Sequence, residues 1–168
     1  DLFELKAFFG PQHGYLGQTQ DNMIEWEGFT EKESGIPVYS LYGEHREPTD
    51  KMLEGLEALI IDLQDVGARY YTYAATAVWT AEAALAAGCE VWVLDRPNPL
   101  GGLRIEGTLV EQEKLRSFVS QWDVPYVYGM TSGELARMIN GRGWIRKPCK
   151  LTVIPLRGWR RIWRCPQL

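Results

Sequence analysis

The sequence predicts a three-layer α/β fold, a mostly parallel β-sheet with helices on either side. Three observations carry that prediction. Five short apolar runs recur along the 168 residues, most of them continuous rather than alternating, as in strands covered on both faces. Helix-forming stretches lie between them. Polar, glycine-bearing clusters follow three of the runs, where the strands of such a sheet give way to loops.

The first expected strand is Leu5 to Phe9 and the second Val38 to Tyr42, separated by a polar, strand-poor region over 17–35. Thr49 can cap a short helix reaching Leu56, because its hydroxyl can accept from a backbone N–H of the first turn. Ala58 to Leu63 is the third strand. Tyr70 to Ala87 is alanine-rich and stopped by Gly88, which predicts a long buried helix. Val91 to Leu94 is the fourth strand, and an excursion over 98–124 follows it, long enough to shape a cleft. Thr131 then opens TSGELARMING, where Glu134 completes a capping box and Gly141 ends the helix. Leu151 to Ile154 is the fifth strand. Beyond it, RGWRRIWRCPQL is unlike the polar ending of a finished domain: it reads either as truncation or a disturbed frame, or as a small basic amphipathic helix with Trp159 and Trp163 four apart.

Composition narrows the function. With 22 acidic and 18 basic side chains the net charge is −4, which gives no electrostatic reason to seek nucleic acid or anionic membrane. No apolar run is long enough to span a bilayer, and the opening DLFELKAFFG lacks the basic start and cleavage site of a signal peptide. Cys89, Cys149 and Cys165 are odd in number and widely spaced, so they predict neither a disulfide framework nor a metal clamp, and Cys89 reads as a small buried hydrophobe. No metal site is expected around His13 or His45, since neither has suitable cysteine or carboxylate spacing nearby.

In open α/β sheets, ligands bind beyond the carboxyl ends of the strands, and the polar clusters fall there. GPQHG follows the first strand: its glycines allow close backbone approach, while Gln12 and His13 offer directional hydrogen bonds or merely tie the loop together. LIIDLQDVGARYYTY places Asp62, Gln64 and Asp65 at a strand end, with Arg69 as the natural partner for a desolvated carboxylate. Tyr71 and Tyr73 can stack on a sugar, donate a phenolic hydrogen bond, or simply pack. VWVLDRPNPLGG delivers Asp95 and Arg96, as ligand contacts or as a structural pair, and two X-Pro bonds fix Asn98. Glu106 is a further carboxylate on the excursion. Neither GxGxxG, GxxxxGK[ST] nor GxSxG follows any expected strand, which counts against a nucleotide-binding Rossmann domain and a serine hydrolase. The remaining mixture suits a polyhydroxylated or acidic small ligand.

FGPQHGYLG, IPVYSLYG, DLQDVGARYYTY, VLDRPNPLGG, the following EGT and YGMTSGELA occur in the order found in the bacterial exo-β-N-acetylmuramidases, and the chain resembles that family over about residues 3–160. The resemblance implies a Rossmann-like N-terminal domain over 1–156 that lacks its first strand and helix, an atypical tail over 157–168, and a second domain missing beyond it. It implies removal of terminal N-acetylmuramic acid from peptidoglycan fragments in cell-wall recycling, with no cofactor, a small carbohydrate or muropeptide as partner, and an exported or envelope-associated location.

The family loop most often reads PEHG, so Gln12 stands where a titratable glutamate is usual, and Tyr128 stands where a histidine is usual before GMT. Glycoside hydrolysis ordinarily needs one carboxyl group to protonate the leaving oxygen and a second to activate water or attack the sugar. The resemblance therefore directs attention to Asp65 or Glu106 as acid or base, supported by Tyr73 and Arg69. Gln12, His13, Asp95, Arg96, Asn98 and Tyr71 are the expected substrate contacts, an arginine suiting the lactyl carboxylate through its paired donors. The alternative is a non-catalytic muropeptide-binding protein of the same fold, which the Gln12 replacement favours and the retained carboxylates disfavour.

Overall fold

The computed structural model describes residues 3–17, 24–145 and 150–165. Strands β1 (Phe8–Gly10), β2 (Phe29–Thr30) and β3 (Pro37–Ser40) form one ladder in the order β1-β3-β2. β1 runs parallel to β3, with Phe9 opposite Tyr39, whereas β2 pairs antiparallel. The other ladder, β4-β5-β6, joins β4 (Ala58–Ile61), β5 (Glu90–Leu94) and β6 (Leu151–Ile154), all parallel. The α/β class and the parallel strands are as the sequence predicts, and β2 is an addition inside the region read as strand-poor. It is two residues long, and Gly28 lets it close on β3, because a Cβ there would lie 2.6 Å from the Val38 carbonyl oxygen.

Leu59, Ile61, Val91, Val93 and Val153 point to one face of the second ladder and pack with Ala81, Ala84 and Leu53 in the core. Helices α2 (Tyr73–Ala86) and α3 (Ser132–Gly141) cover that face. Its opposite face carries Ile60 and Trp92, which are 55% and 41% exposed. The continuous apolar runs thus have residues for two covered faces, and the described residues cover one. A second core gathers Ala75, Trp122, Val124, Tyr128, Leu135 and Ile139, which fastens the excursion onto α2 and α3.

Helix ends follow the glycines and caps. Helix α1 (Asp50–Leu53) is capped by Thr49 and stops short of Leu56 because Gly55 turns left-handed at φ +74°. α2 begins at Tyr73 rather than Tyr70, since Ala68 and Arg69 are drawn into backbone pairing with Val127 and Tyr126. Gly88, at φ +85°, ends it. α3 has the predicted capping box, with Thr131 accepting from the Glu134 N–H and Glu134 accepting from the Thr131 N–H.

The 98–124 excursion holds one 3-10 turn, Glu113–Leu115. The described part of the tail forms no helix. Its backbone groups are engaged by the PNPLGG loop instead: the Gly102 N–H donates to the Arg161 carbonyl (2.8 Å) and the Cys165 N–H to the Pro99 carbonyl (2.9 Å). Cys89 is buried, as predicted, and its thiol donates to the Leu56 carbonyl. Cys149 lies outside the described residues.

Candidate functional site

Because β1, β4, β5 and β6 run parallel within their ladders, the loops leaving β4 and β5 emerge at one end of the sheet, and the helix packed on β6 begins there. The GPQHG loop leaves β1 and is tied to the start of α2. Gln12 is buried; its side-chain oxygen accepts from the Thr72 hydroxyl (2.9 Å) and its backbone carbonyl from the Tyr73 hydroxyl (3.0 Å). His13 adopts φ +73°, a left-handed conformation that costs a non-glycine residue energy and is concentrated at functional sites. Its ring lies 6.5 Å from that of Tyr71, nearly parallel, and Tyr71 in turn packs 4.6 Å from Tyr73.

Asp65 is the most unusual ionisable group of this rim. Only 6% exposed, it accepts at Oδ2 from the Gly67 N–H (3.0 Å) and from the Tyr128 hydroxyl, whereas Oδ1 is buried and receives no hydrogen bond from the described residues. Burial raises its pKa to about 6 from an ordinary 3.8, against the backbone N–H groups of Gly67 and Val66, which pull it down. Asp65 and Tyr73 wall a crevice shared with Ile61, Leu63 and Leu135, a cavity of about 40 Å³. That volume suits a water molecule or two, so a sugar must approach Asp65 from outside. Burial also pushes the Tyr73 hydroxyl upward, leaving it a proton donor.

The β5 loop is braced rather than open. The Asp95 carboxylate accepts from the N–H of Gly133 (2.7 Å), from that of Arg96 (3.0 Å) and from the Thr131 hydroxyl (2.9 Å), fastening β5 to the start of α3. Arg96 grips Asp62 through two bonds of 2.5 and 2.7 Å on the exposed rim. Asn98 is buried, donating to the Met130 carbonyl and accepting from the Leu100 N–H. It packs on Gly67, where any Cβ would overlap it, so the Asp65 and Asn98 loops meet. Arg69 is not the partner of a strand-end carboxylate. The backbone pairing of Ala68 and Arg69 with the 126–127 segment turns its guanidinium to the carbonyls of Thr108 and Val124, both at 2.8 Å.

Glu106 lies exposed in a two-bond pair with Arg104, which holds its carboxyl below the usual range. Its backbone exchanges both hydrogen bonds with Val127, the neighbour of Tyr128. Gln12, His13, Tyr71, Tyr73 and Asp65 are thus gathered around the start of α2. Asp95 and Asn98 stand beside them as structural supports, and Arg96 and Glu106 sit on the exposed rim. Tyr128 joins this site through its contact with Asp65, and its only signal in the sequence is its place ahead of GMT.

The model of the family described as exo-β-N-acetylmuramidase NamZ, N-terminal, matches residues 1–167. The chain is 44% identical over 158 residues to the peptidoglycan β-N-acetylmuramidase NamZ of Bacillus subtilis (strain 168), covering 94% of this chain and 37% of that protein. Crystal structures of two DUF1343 family proteins from Bacteroides fragilis NCTC 9343 are similar in fold. One has a TM-score of 0.85 at 45% identity, covering 97% of this chain and 40% of that one. The other has 0.77 at 34% identity, covering 95% and 41%. The chain therefore spans about two fifths of these relatives' length.

Proposed function

The chain belongs to the family of NamZ N-terminal domains, and from that premise we propose that it supplies the catalytic rim of a glycosidase removing terminal N-acetylmuramic acid from peptidoglycan fragments, in cell-wall recycling. The observation that carries this reading is the buried Asp65 carboxyl, held by the Gly67 N–H and the Tyr128 hydroxyl and raised by burial; Glu106, whose backbone pairs with Val127, lies exposed against Arg104, which lowers it. Environments that drive two carboxyls apart divide the labour between acid and base.

Asp65 in its protonated form donates to the leaving oxygen. Its proton belongs on Oδ1, because Oδ2 already accepts from Gly67 and Tyr128. Tyr128 is a positioning residue that fixes which oxygen remains available. Glu106, ionised, activates water or meets the sugar from the other side. His13 and Tyr71 line the approach, Tyr73 supports Asp65, and Arg96 offers its rim charge to the lactyl carboxylate. Gln12, Asp95, Asn98 and Arg69 hold the loops in place.

The test uses a polypeptide of the relatives' full length carrying this chain, incubated with a chromogenic β-N-acetylmuramide and with the glucosaminide counterpart. The reading predicts cleavage of the muramide alone. Saturable muramide binding without cleavage would instead favour the muropeptide-binding reading, which the burial of Gln12, unable to titrate, supports.

A further inference from the structure

Tyr70 and Tyr126 are 52% and 46% exposed, yet their rings stack at 5.3 Å with an interplanar angle of 22°. The pair is assembled by backbone rather than by chance contact of two mobile side chains. The Arg69 N–H donates to the Tyr126 carbonyl (2.8 Å), Ala68 pairs with Val127, and on the far side Val127 exchanges hydrogen bonds of 2.9 and 3.0 Å with Glu106. The Arg69 guanidinium clamps the carbonyls of Thr108 and Val124 around them. Gly107 completes the fit: at φ +84°, any Cβ it carried would lie 2.6 Å from the Cβ of Tyr126. Side chains already held in place lose little freedom on binding.

The geometry points to a stacking platform, formed by Tyr70 and Tyr126, for the pyranose ring that follows the terminal muramyl residue. This rests on the glycosidase reading. A pyranose offers a flat C–H face with hydroxyls around its edge, and an aromatic face accepts the former. The Arg104–Glu106 pair, next to Gly107 in the chain, supplies donors and acceptors for the latter. Position selects the ring. Tyr126 precedes by two residues the Tyr128 that contacts Asp65, an extended step of about 7 Å. Asp65 is recessed and the tyrosines face solvent, so a terminal sugar that approaches Asp65 from outside sets the next ring against the pair.

The experiment compares, in a full-length polypeptide, kcat/KM for a β-linked muramyl disaccharide with kcat/KM for a muramyl fluoride, which has no second ring. Tyr126→Ala and Tyr70→Ala should each lower the disaccharide-to-fluoride ratio about 5- to 10-fold, the scale of one aromatic contact, and Tyr126→Phe, which keeps the ring, should restore it. An unchanged ratio overturns the platform, whether both rates hold or both fall together as from a structural defect. Should the parent hydrolyse neither substrate, the glycosidase reading fails. The platform is then decided by binding: the alanine variants must weaken disaccharide affinity more than muramic acid affinity, and equal effects overturn it.

Discussion

Asp65 takes its raised proton affinity from its surroundings. Among the described residues no cationic side chain faces it: Tyr73 comes from α2 and Tyr128 from the loop before α3, Glu82 lies farther along the same crevice, and the α3 side offers Ser132 and Asn140. Its raised pKa is therefore a burial effect, and the sign of its stability contribution follows. Folded Asp65 binds its proton more tightly than the unfolded chain does, so stability falls as pH rises from about 4 to about 6 and stays lowered above. The gap corresponds to a cost on the order of 3 kcal/mol at pH 7. Asp65→Asn, whose amide oxygen can still accept from Gly67 and Tyr128, should stabilise the fold by about 1–3 kcal/mol at pH 7 and by nothing near pH 4. Urea denaturation across that range measures it, and a pH-independent difference would contradict the assignment. Tyr128→Phe removes a donor to the ionised form, so the alkaline limb of the pH–rate profile should move to higher pH. A limb that stays in place or moves down would remove Tyr128 from the mechanism.

Among the elements, the ladder of β4, β5 and β6 carries an asymmetry that mutations can read. Leu59 is buried against the helices and Ile60 is exposed on the other face. Leu59→Ala should cost about 3 kcal/mol and Ile60→Ala less than about 1 kcal/mol, judged by denaturation midpoints; similar costs would mean that the open face is packed in solution. Periodicity could not announce this difference, because a continuous apolar run has the same appearance whether its second face is covered or not. Local chemistry was more legible. The Thr131 capping box lies within four residues, and the structure has it as the sequence predicts. Where α2 begins was hidden, since the competing partners of Ala68 and Arg69 lie at Val127 and Tyr126.

Across the whole molecule, the loops that carry the site were legible because each is a short, self-contained cluster at the end of an apolar run. Their partners were not. Gln12 meets Thr72 across 60 residues and Asp65 meets Tyr128 across 63, contacts that exist only once the layers are stacked. The tail makes the same point. Its arginines and tryptophans have the spacing of a basic helix, yet Gly101 and Gly102 provide a surface on which its described part lies as bends and a turn closed from Trp163 to Arg160, with Arg161 reaching Glu134. A Cβ at Gly101 would approach the backbone oxygens of Arg161 and Trp163 to 3.1 Å. Gly101→Val should therefore release the tail and speed tryptic cleavage at its arginines roughly tenfold; an unchanged rate would show that docking does not depend on this contact.

The proposed role of the Asp65 carboxyl as proton donor in glycoside cleavage is decided by the kcat/KM of Asp65→Asn on a β-N-acetylmuramide. In a folded full-length polypeptide the account predicts a fall of at least about 100-fold, with the alkaline limb near pH 6 abolished. A variant that cleaves the muramide at a near-normal rate would contradict it and leave Asp65 a buried structural acid.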